Sequence, residues 1–404
     1  MIEPKIRFNN NSWQKHKVGE LCDLLTGYPF PGDKILNRGK NLLMRGINIT
    51  EGRIRHSDEI DRYYNEDTIG LEKYRLQVGD LVIGMDGSKV GKNSALVTSK
   101  ENYSLLVQRV ARLRNEDKNL INLIQIAVGS DKFIKYVEEM KTSSAIPHIS
   151  PADIRNFPLS LPEDSNERRL VASYFTSLDS QISASTSRLA SLKQMKAASL
   201  QAMFPQEGEN VPKIRFKGFE GEWNISRLGD FSTSFSGGTP TAGVAEFYGG
   251  EIPFIRSGEI HENRTELFLT EAGINNSSAK VVEKGTLLYA LYGATSGEVG
   301  ISKIKGAINQ AILAIYPNKS VNKIFLSNYL QLKKQRIVGE FLQGGQGNLS
   351  GALVKSILVT YPSLEEQQAI ASYFTSLDRQ ISLQSQRLEK LKQIKSACLD
   401  KMFV

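Results

Sequence analysis

Two glycine-rich loops carry the side chains whose types and spacing are best suited to making chemical contacts. The first, residues 84–92, reads Gly-Met-Asp-Gly-Ser-Lys-Val-Gly-Lys, and the second, residues 291–298, reads Leu-Tyr-Gly-Ala-Thr-Ser-Gly-Glu. Glycine allows the backbone to approach a ligand closely, and neighbouring side chains can donate hydrogen bonds to phosphates or base edges. The candidate contact residues are Ser88, Lys89, Lys92 and Asn93 in the first half, and Tyr292, Thr295 and Ser296 in the second. A plain strand-to-strand turn is the competing interpretation of each loop.

Further polar residues stand at equivalent places in the two halves of the chain. One set follows a short apolar stretch that ends in Arg and a glycine turn, and another set precedes a long helical pattern. The first set is Arg53, Arg55 and His56, matched by His261, Asn263 and Arg264; the second is Ser143, Ser144 and His148, matched by Gln343, Gln346 and Asn348. We expect these side chains to line a binding groove. Solvated loops are the alternative, because loops are usually polar and exposed.

The chain lacks the common signatures of a catalytic site. We find no G-x-x-x-x-G-K-[ST], H-E-x-x-H, G-x-S-x-G or Asn-Pro-Pro-Tyr motif, and the four histidines show no metal-ligand spacing. The two cysteines, Cys22 and Cys398, indicate neither a disulfide framework nor a zinc site. The formal net charge of +8 favours a polyanionic partner. We therefore expect a binding protein with no catalytic residues and no metal site of its own.

The candidate contact residues are carried by a chain that is duplicated. The segments 172–204 and 371–403 are identical at 21 of 33 aligned positions, with an offset of 199 residues. Each half also opens alike, because Pro-Lys-Ile-Arg-Phe occurs at 4–8 and at 212–216 and is followed in both cases by a Trp. The helical segments resemble each other far more than the globular parts do. This contrast indicates that the helices share one role, whereas the globular parts have diverged to bind different things.

Apolar residues in both helical segments recur in alternating steps of three and four, the pattern of a heptad seam. The predicted pairing residues are Phe175, Leu178, Ile182, Leu189 and Leu192 in the first helix, and Phe374, Leu377, Ile381, Leu388 and Leu391 in the second. Polar residues that interrupt the seam would fix its register: Ser185, Lys196, Gln384 and Lys395. Each helix, on the order of 50 Å long, buries its seam most simply against the other. We expect antiparallel pairing, because parallel pairing would make the second globular domain bridge a helix length.

This order predicts an α/β (α+β) fold, with two pseudo-twofold-related globular domains separated by two long helices that pair as an antiparallel coiled coil. The predicted segments are 1–162 and 205–362 for the globular domains, 163–204 for the central helix and 363–404 for the C-terminal helix. With 404 residues and 40% hydrophobic content, the chain can bury a core in each domain. It shows no apolar run of about 20 residues and no signal-peptide pattern, so we expect a cytoplasmic protein without a membrane partner.

Three motifs accompany the duplicated helices. They are the Pro-Lys-Ile-Arg-Phe openings, Ser-Gly-Gly-Thr-Pro at 236–240, and Pro-Ser-Leu-Glu-Glu-Gln-Gln-Ala-Ile-Ala at 362–371. Together with the architecture, they resemble the specificity (S) subunit of type I DNA restriction-modification enzymes, and the likeness covers the whole chain. The first half departs from the pattern at 26–30, which reads Thr-Gly-Tyr-Pro-Phe, and at 167–170, which reads Glu-Arg-Arg-Leu.

The resemblance implies that each globular domain is a target recognition domain that reads one half of a bipartite sequence in double-stranded DNA. The paired helices would hold the two halves at a fixed spacing. Two modification (adenine methyltransferase) subunits would bring S-adenosylmethionine, and restriction or translocase subunits would use ATP and Mg²⁺. No cofactor would then be bound by this chain.

Two other interpretations stay open from the sequence. A structural scaffold would organise protein partners on its helices and bind proteins, rather than DNA, through its globular domains. A stand-alone methyltransferase or nuclease would be active as the purified chain. Salt-dependent binding of a bipartite duplex in the presence of a modification subunit distinguishes DNA recognition from the scaffold.

Overall fold

The structure is a computed structural model that describes residues 13–87, 89–140, 147–342 and 348–402. The chain divides into two compact units. Unit 1 comprises Met1–Thr186 together with Gln386–Val404, and unit 2 comprises Ser187–Ser385.

Unit 1 is a mixed helix and sheet structure. Its strands are β1 (Trp13–Lys17), β2 (Asp23–Thr26), β3 (Asn41–Met44), β4 (Ile49–Thr50), β5 (Arg53–Ile54), β6 (Tyr63–Tyr64), β7 (Leu81–Gly84), β8 (Ser94–Leu96), β9 (Leu105–Leu106), β10 (Val110–Arg114) and β11 (Pro158–Pro162). Its helices are α1 (Val18–Leu21), α2 (Lys118–Val128), α3 (Asp131–Met140), α4 (Pro151–Asn156) and the first part of α5 (Ser165–Met203). The strands pair in the orders β2-β10-β7-β8, β6-β3-β9, β1-β11 and β4-β5.

Strand β7 shows how the four-stranded sheet of unit 1 is buried on both faces. Leu81 and Ile83 pack in the core that also contains Phe133 of α3, whereas Val82 packs in a separate core with Met44. Successive residues of a strand point to opposite faces, so one short apolar run serves both cores. The sheet is therefore held between two cores, and its loops extend from the ends of its strands.

Unit 2 repeats this plan. Its strands are β12 (Asn224–Arg227), β13 (Ser232–Ser236), β14 (Tyr248–Ile255), β15 (Leu267–Leu269), β16 (Lys280–Val282), β17 (Leu287–Ala290), β18 (Val299–Ile301), β19 (Gly306–Ile308), β20 (Ile312–Pro317) and β21 (Leu358–Tyr361). Its helices are α6 (Leu228–Phe231), α7 (Glu271–Asn275), α8 (Lys323–Leu332), α9 (Lys334–Leu342), α10 (Gly351–Ser356), the end of α5 and the start of α11 (Leu364–Met402). The sheet orders are β13-β20-β17-β18, β15-β14-β19-β16 and β12-β21.

The two units share the strand order of their main four-stranded sheet and of their two-stranded terminal sheet, which confirms the duplicated domain predicted from the sequence. The order β2-β10-β7-β8 of unit 1 corresponds strand by strand to β13-β20-β17-β18 of unit 2, and β1-β11 corresponds to β12-β21. In both units a parallel pair, β3 with β9 and β14 with β19, lies in the second sheet. The fold class is thus mixed helix and sheet with two long helices.

Equivalent helices in the two units also begin with equivalent N-terminal capping residues. Asp117 accepts hydrogen bonds from the first N–H groups of α2, and Asn322 does the same for α8. Ser150 caps α4 and Ser350 caps α10, each through its hydroxyl. A capping side chain satisfies a helical N–H group that has no partner within its own helix.

The long helices α5 and α11 are each 39 residues long, and within each unit their segments pair antiparallel. In unit 1 Lys395 Nζ lies 2.5 Å from Asp179 Oδ1. In unit 2 Lys196 Nζ lies 2.6 Å from Asp378 Oδ1. Lys196 is the repeat equivalent of Lys395, and Asp378 is the repeat equivalent of Asp179. The same contact is therefore made twice with the roles of the two helices exchanged, which confirms antiparallel pairing. The lysines that interrupt the predicted seam make ion pairs between the helices.

A second equivalent contact supports the same register. Tyr174 and Cys398 meet in unit 1, and their repeat equivalents Tyr373 and Ser199 meet in unit 2. All ten predicted pairing residues are buried or half-buried. Phe175, Leu178, Leu192, Phe374, Leu377 and Leu388 are buried, and Ile182, Leu189, Ile381 and Leu391 are half-buried.

Both ends of the helices are built into the cores of the units. In unit 1 Phe175 of α5 and Met402 of α11 belong to the main core, and in unit 2 Met203 and Phe374 do so. Among the described helices, none has the length and apolar composition required to cross a membrane.

Candidate functional site

Three backbone segments meet at the end of β7 in unit 1. Met85 donates its N–H to the carbonyl of Arg109 at 3.0 Å and accepts from the N–H of Ile149 at 3.0 Å. Gly87 donates to the carbonyl of Pro147 at 3.1 Å. The glycine-rich loop, the β9–β10 turn and the segment before α4 are therefore held together by backbone hydrogen bonds.

The same arrangement is present at the end of β17 in unit 2. Leu291 donates to the carbonyl of Ala311 at 2.8 Å and accepts from the N–H of Leu349 at 3.0 Å. These bonds make Met85 equivalent to Leu291, Arg109 to Ala311 and His148 to Asn348. We call this set of hydrogen-bonded segments the recognition framework of each unit.

Glycines fix the shape of the loop in both frameworks. Gly87 and Gly293 have φ values of +99° and +83°, and Gly91 and Gly297 have φ values of +85° and +77°. The second of these glycines in each loop also lies against a valine of a following helix. Gly91 lies against Val137 and Gly297 against Val338, so that a Cβ atom at either glycine would clash. Glycine adopts positive φ without steric cost. The two loops therefore share these glycine conformations and differ in their side chains.

The framework of unit 1 carries a cluster of charged and polar groups. Asp86 accepts a hydrogen bond from Arg109 NH1 at 2.8 Å, and its other oxygen lies 2.5 Å from His148 Nδ1. Lys89 and Lys92 are exposed on the loop, and Asn93 is half-buried. Lys89, Lys92 and Asn93 thus lie on or directly after the loop whose Asp86 contacts His148.

The β4–β5 hairpin lies beside this loop. Gly52 donates to the carbonyl of Ser94 at 2.8 Å, and Glu51 lies 3.8 Å from Lys89 Nζ. Arg53 is exposed on this hairpin, whereas Arg55 Nε donates to the carbonyl of Ile47 at 2.8 Å. Arg53 is therefore open to a ligand on this hairpin, and Arg55 also supports the hairpin.

His56 does not line a groove, and this expectation was wrong. Its ring lies between Asp61, at 3.1 Å, and Glu101, at 2.9 Å, and its side chain is only 9% exposed. Burial alone would raise the pKa of Glu101, but hydrogen bonds from Thr98 and His56 lower it below its usual value. His56 is a structural residue because its two carboxylate partners enclose it.

The framework of unit 2 carries different side chains. Tyr292 stands at the position of Asp86 and is half-buried, and Asn348 is exposed. Thr295 is half-buried, and Ser296 donates its hydroxyl to the carbonyl of Leu291 at 3.2 Å. Ser296 therefore stabilises the loop from within.

An ion pair joins the end of the unit 2 loop to helix α9. Glu298 lies 2.5 Å from Lys334 Nζ and 3.5 Å from His261 Nε2. The hydrogen bond from Lys334 is the largest cause that lowers the pKa of Glu298. Lys92 occupies the equivalent position in unit 1, so the two loops differ in charge there. Arg264 is exposed, and among the described residues no ion pair joins it to the loop.

Some predicted residues lie outside the described ranges. These are Ser88, Ser143, Ser144, Gln343 and Gln346. For every predicted contact residue, contact with DNA stays a prediction.

The motif at 236–240 and its departure in the first half prove structurally equivalent. Gly27 donates to the carbonyl of Val110 at 3.1 Å, and Gly237 donates to the carbonyl of Ile312 at 3.3 Å. Both glycines pass so close to the neighbouring chain that a Cβ atom would overlap its carbonyl group. The two motifs differ in sequence but place a glycine at the same close crossing, beside the start of β10 or β20.

Sequence reasoning missed two residues of the unit 1 framework, Asp86 and Arg109. Asp86 is inside the loop identified from its glycines, but a carboxylate is not an expected donor to DNA. Arg109 follows the Leu-Val-Gln stretch that matches Ile-Asn-Gln in the other half, and its partner position holds Ala311. The available signal for Arg109 was a charged residue in a turn where the other half of the chain has alanine.

The arrangement offers hydrogen-bond donors, acceptors and positive charge. Within the described ranges, no group of three or more His, Cys, Asp or Glu side chains is placed to hold a metal ion. Such a surface can bind phosphates and base edges.

The sequence profile of the type I restriction modification DNA specificity domain matches the chain twice, at residues 10–194 and 220–393. The chain belongs to this family. Each match contains one recognition framework together with most of one long helix. Type I specificity proteins are the DNA-specificity component of restriction-modification systems, and the framework carries different polar side chains in the two copies.

Related proteins agree with this assignment. The chain is similar to the type I restriction enzyme MjaIX specificity subunit of Methanocaldococcus jannaschii, with 32% identity over 185 residues. That match covers 42% of this chain and 42% of the relative, so it spans less than half of either protein.

Solved structures show that the fold is shared. The S subunit of a type I restriction-modification system from M. genitalium aligns with a TM-score of 0.68 and 18% identity, covering 100% of this chain and 99% of that chain. A chain from a structure describing complex assembly and conformational transition of the type I R-M system aligns with a TM-score of 0.54 and 18% identity, covering 98% of both chains.

Proposed function

We propose that this specificity subunit recognises a bipartite double-stranded DNA target in the cytoplasm, with one half-site read by each unit. The observation that carries the proposal is the recognition framework. The same backbone hydrogen bonds present Asp86, Arg109 and His148 in unit 1, but Tyr292 and Asn348 in unit 2. A constant scaffold with exchanged polar side chains is suited to reading two different base sequences in the same way.

The side chains of unit 1 divide naturally into two roles. Lys89, Lys92 and Arg53 are exposed cations on neighbouring loops and would contact phosphates, which position a protein on DNA without reading sequence. Asn93 and His148 are partly enclosed, and their side chains would contact base edges.

The catalytic work belongs to partners in this proposal. Two modification subunits would bind S-adenosylmethionine and methylate adenine, and restriction or translocase subunits would use ATP and Mg²⁺. The structural similarity to a chain from an assembled type I R-M system supports an assembly of this kind.

The paired helices would set the spacing between the half-sites. Both helices pass from one unit to the other, α5 after Thr186 and α11 after Ser385. Seven-residue insertions after both positions preserve the heptad pattern, and we expect them to change the accepted spacer length. An unchanged spacer in a folded double insertion would refute this role.

Duplex binding tests the proposed function directly. The chain with its modification subunits is titrated with a bipartite duplex at several salt concentrations, and we expect log K to fall linearly with log salt. Replacing Lys89 and Lys92 with Ala should reduce the magnitude of that slope by about 1 to 2.

Lys118→Ala is the matched control, since Lys118 is an exposed lysine that follows the far end of β10. It should leave the slope unchanged. No duplex binding at low salt with the partner present would instead identify a protein scaffold.

A further inference from the structure

We propose that Arg109 reads a guanine in the half-site recognised by unit 1, and that Asp86 positions its guanidinium for this contact. The inference rests on the proposed function and adds the residue and the base. It depends on three observations: the backbone conformation of Arg109, its link to Asp86, and the residue at the equivalent place in unit 2.

Arg109 has an unfavourable backbone conformation. Its φ is +66°, in the left-handed region that only Tyr103 shares among the described non-glycine residues. Arg109 is the third residue of a turn closed by the Val110 N–H and the Val107 carbonyl at 3.2 Å, a position that glycine usually occupies when φ is positive. A strained conformation persists only where the surroundings hold it, and such residues are concentrated at functional sites.

The side chain of Arg109 is held at one point and open elsewhere. Its NH1 donates to Asp86 Oδ2 at 2.8 Å, while 64% of the side chain is exposed. Asp86 is itself fixed, because its other oxygen lies 2.5 Å from His148 Nδ1 and its backbone pairs with that of His148. Among the described residues, nothing else accepts a hydrogen bond from the Arg109 side chain.

The donors that stay open match guanine. A guanidinium carries five N–H groups in a planar fork, and Asp86 engages one nitrogen. The remaining N–H groups can donate together to O6 and N7 of guanine in the major groove, the commonest specific arginine contact with DNA. A carboxylate that restrains the arginine lowers the entropy lost when that contact forms.

Unit 2 lacks this device. Its equivalent residue is Ala311, which keeps a negative φ and has no hydrogen-bonding side chain. The preceding residue, Gln310, instead accepts a hydrogen bond from the Thr239 hydroxyl. Any change at Arg109 should therefore alter one half-site and leave the other half-site as it is.

The test measures adenine methylation by the complex of the full chain with its modification subunits, on duplex libraries randomised in each half-site. The wild-type complex should require guanine at one position read by unit 1. Arg109→Ala and Arg109→Gly should lose on the order of 10- to 100-fold discrimination at that position. Arg109→Lys keeps the charge but not the fork, so it should lose discrimination there with little loss of overall binding.

The Arg109→Gly variant distinguishes base reading by Arg109 from a purely structural role of this residue. Arg109→Gly relieves the positive φ, so its melting temperature should equal or exceed that of the wild type while discrimination is lost. Tyr103→Gly is the matched control, since Tyr103 has a φ of +65°; it should not change discrimination. Asp86→Asn should weaken discrimination at the same position only.

The outcomes distinguish the proposals. If the wild-type complex does not methylate bipartite DNA, the proposed function fails. If it does, but the Arg109 variants keep every base preference, alter the other half-site, or weaken all sequences equally, Arg109 does not read a base and the present inference is overturned.

Discussion

Removing one partner of the buried ion pair between Arg215 and Glu366 should strongly destabilise unit 2. Arg215 Nε and NH2 lie 2.9 and 2.6 Å from the two carboxylate oxygens of Glu366, which joins the repeated opening segment to the first turn of α11. The hydrogen bond to Glu366 is the largest cause that raises the pKa of Arg215. The Glu366 side chain is only 2% exposed and that of Arg215 is 13% exposed, so water screens the pair weakly.

Arg215→Ala removes this partner and leaves the Glu366 carboxylate buried. Breaking a buried pair in this way costs about 3–5 kcal/mol of unfolding free energy. Arg215 also donates to the carbonyls of Glu220 and Gly221, but both residues are exposed and water can replace those bonds. The expected loss is therefore set by the unpaired carboxylate.

Each unit contains one Trp, which allows the units to be followed separately. Trp223 is buried in the core of unit 2 and Trp13 packs against that of unit 1, so denaturant unfolding is monitored by Trp223 fluorescence in a Trp13→Phe background. Exchanging both Arg215 and Glu366 for Met should restore stability to within about 1 kcal/mol of the parent, because two apolar groups leave no buried charge.

The control is Lys213→Ala, a loss of charge at an exposed position in the same segment, which should change stability by less than about 0.5 kcal/mol. A loss below about 1 kcal/mol for Arg215→Ala, or no recovery in the double variant, would refute the reasoning about burial.

Three further predictions concern the interior. Gly237→Ala should destabilise unit 2 by about 1–3 kcal/mol in denaturant unfolding, because the new Cβ would overlap the carbonyl of Ile308; an unaffected midpoint would contradict the close crossing. Burial alone would raise the pKa of Glu259, but hydrogen bonds from Arg256 outweigh it and lower the pKa from 4.5 to about 2. The resulting stability is fully present above about pH 4.5 and lost as the pH falls towards 2, and Glu259→Gln should flatten this part of an acid unfolding curve. Burial raises the pKa of Cys22 to about 12, so mass spectrometry should find it unalkylated by iodoacetamide at pH 8 in the folded chain but alkylated in denaturant.

The architecture could be predicted from the sequence because the two halves of the chain can be compared with each other. Repetition of the helical segments predicts two equivalent units, and the structure shows the same strand order in the main four-stranded sheet of both. The seam was predictable for a similar reason, since heptad spacing is a local property. Lys196 and Lys395 break the apolar pattern, and the structure pairs them with Asp378 and Asp179.

The recognition framework could be predicted only in part. Glycine spacing indicates the loops, and His148 was identified as one of the polar residues that precede the first long helix. The link between Asp86 and His148 joins residues 62 positions apart, and no periodic pattern records it. The positive φ of Arg109 depends on how the turn between β9 and β10 is closed. His56 shows the opposite error, because a polar residue in a loop was expected to be exposed and is buried between two carboxylates.

Exchange of one recognition domain tests the central claim most directly. Residues 1–162 are replaced with the same domain of another family member, and methylated adenines are mapped across the genome in cells that carry the chimaera and the modification subunits. We predict that one half of the methylated sequence changes and the other half is retained. A change in both halves, or in neither, would contradict the assignment of one half-site to each unit.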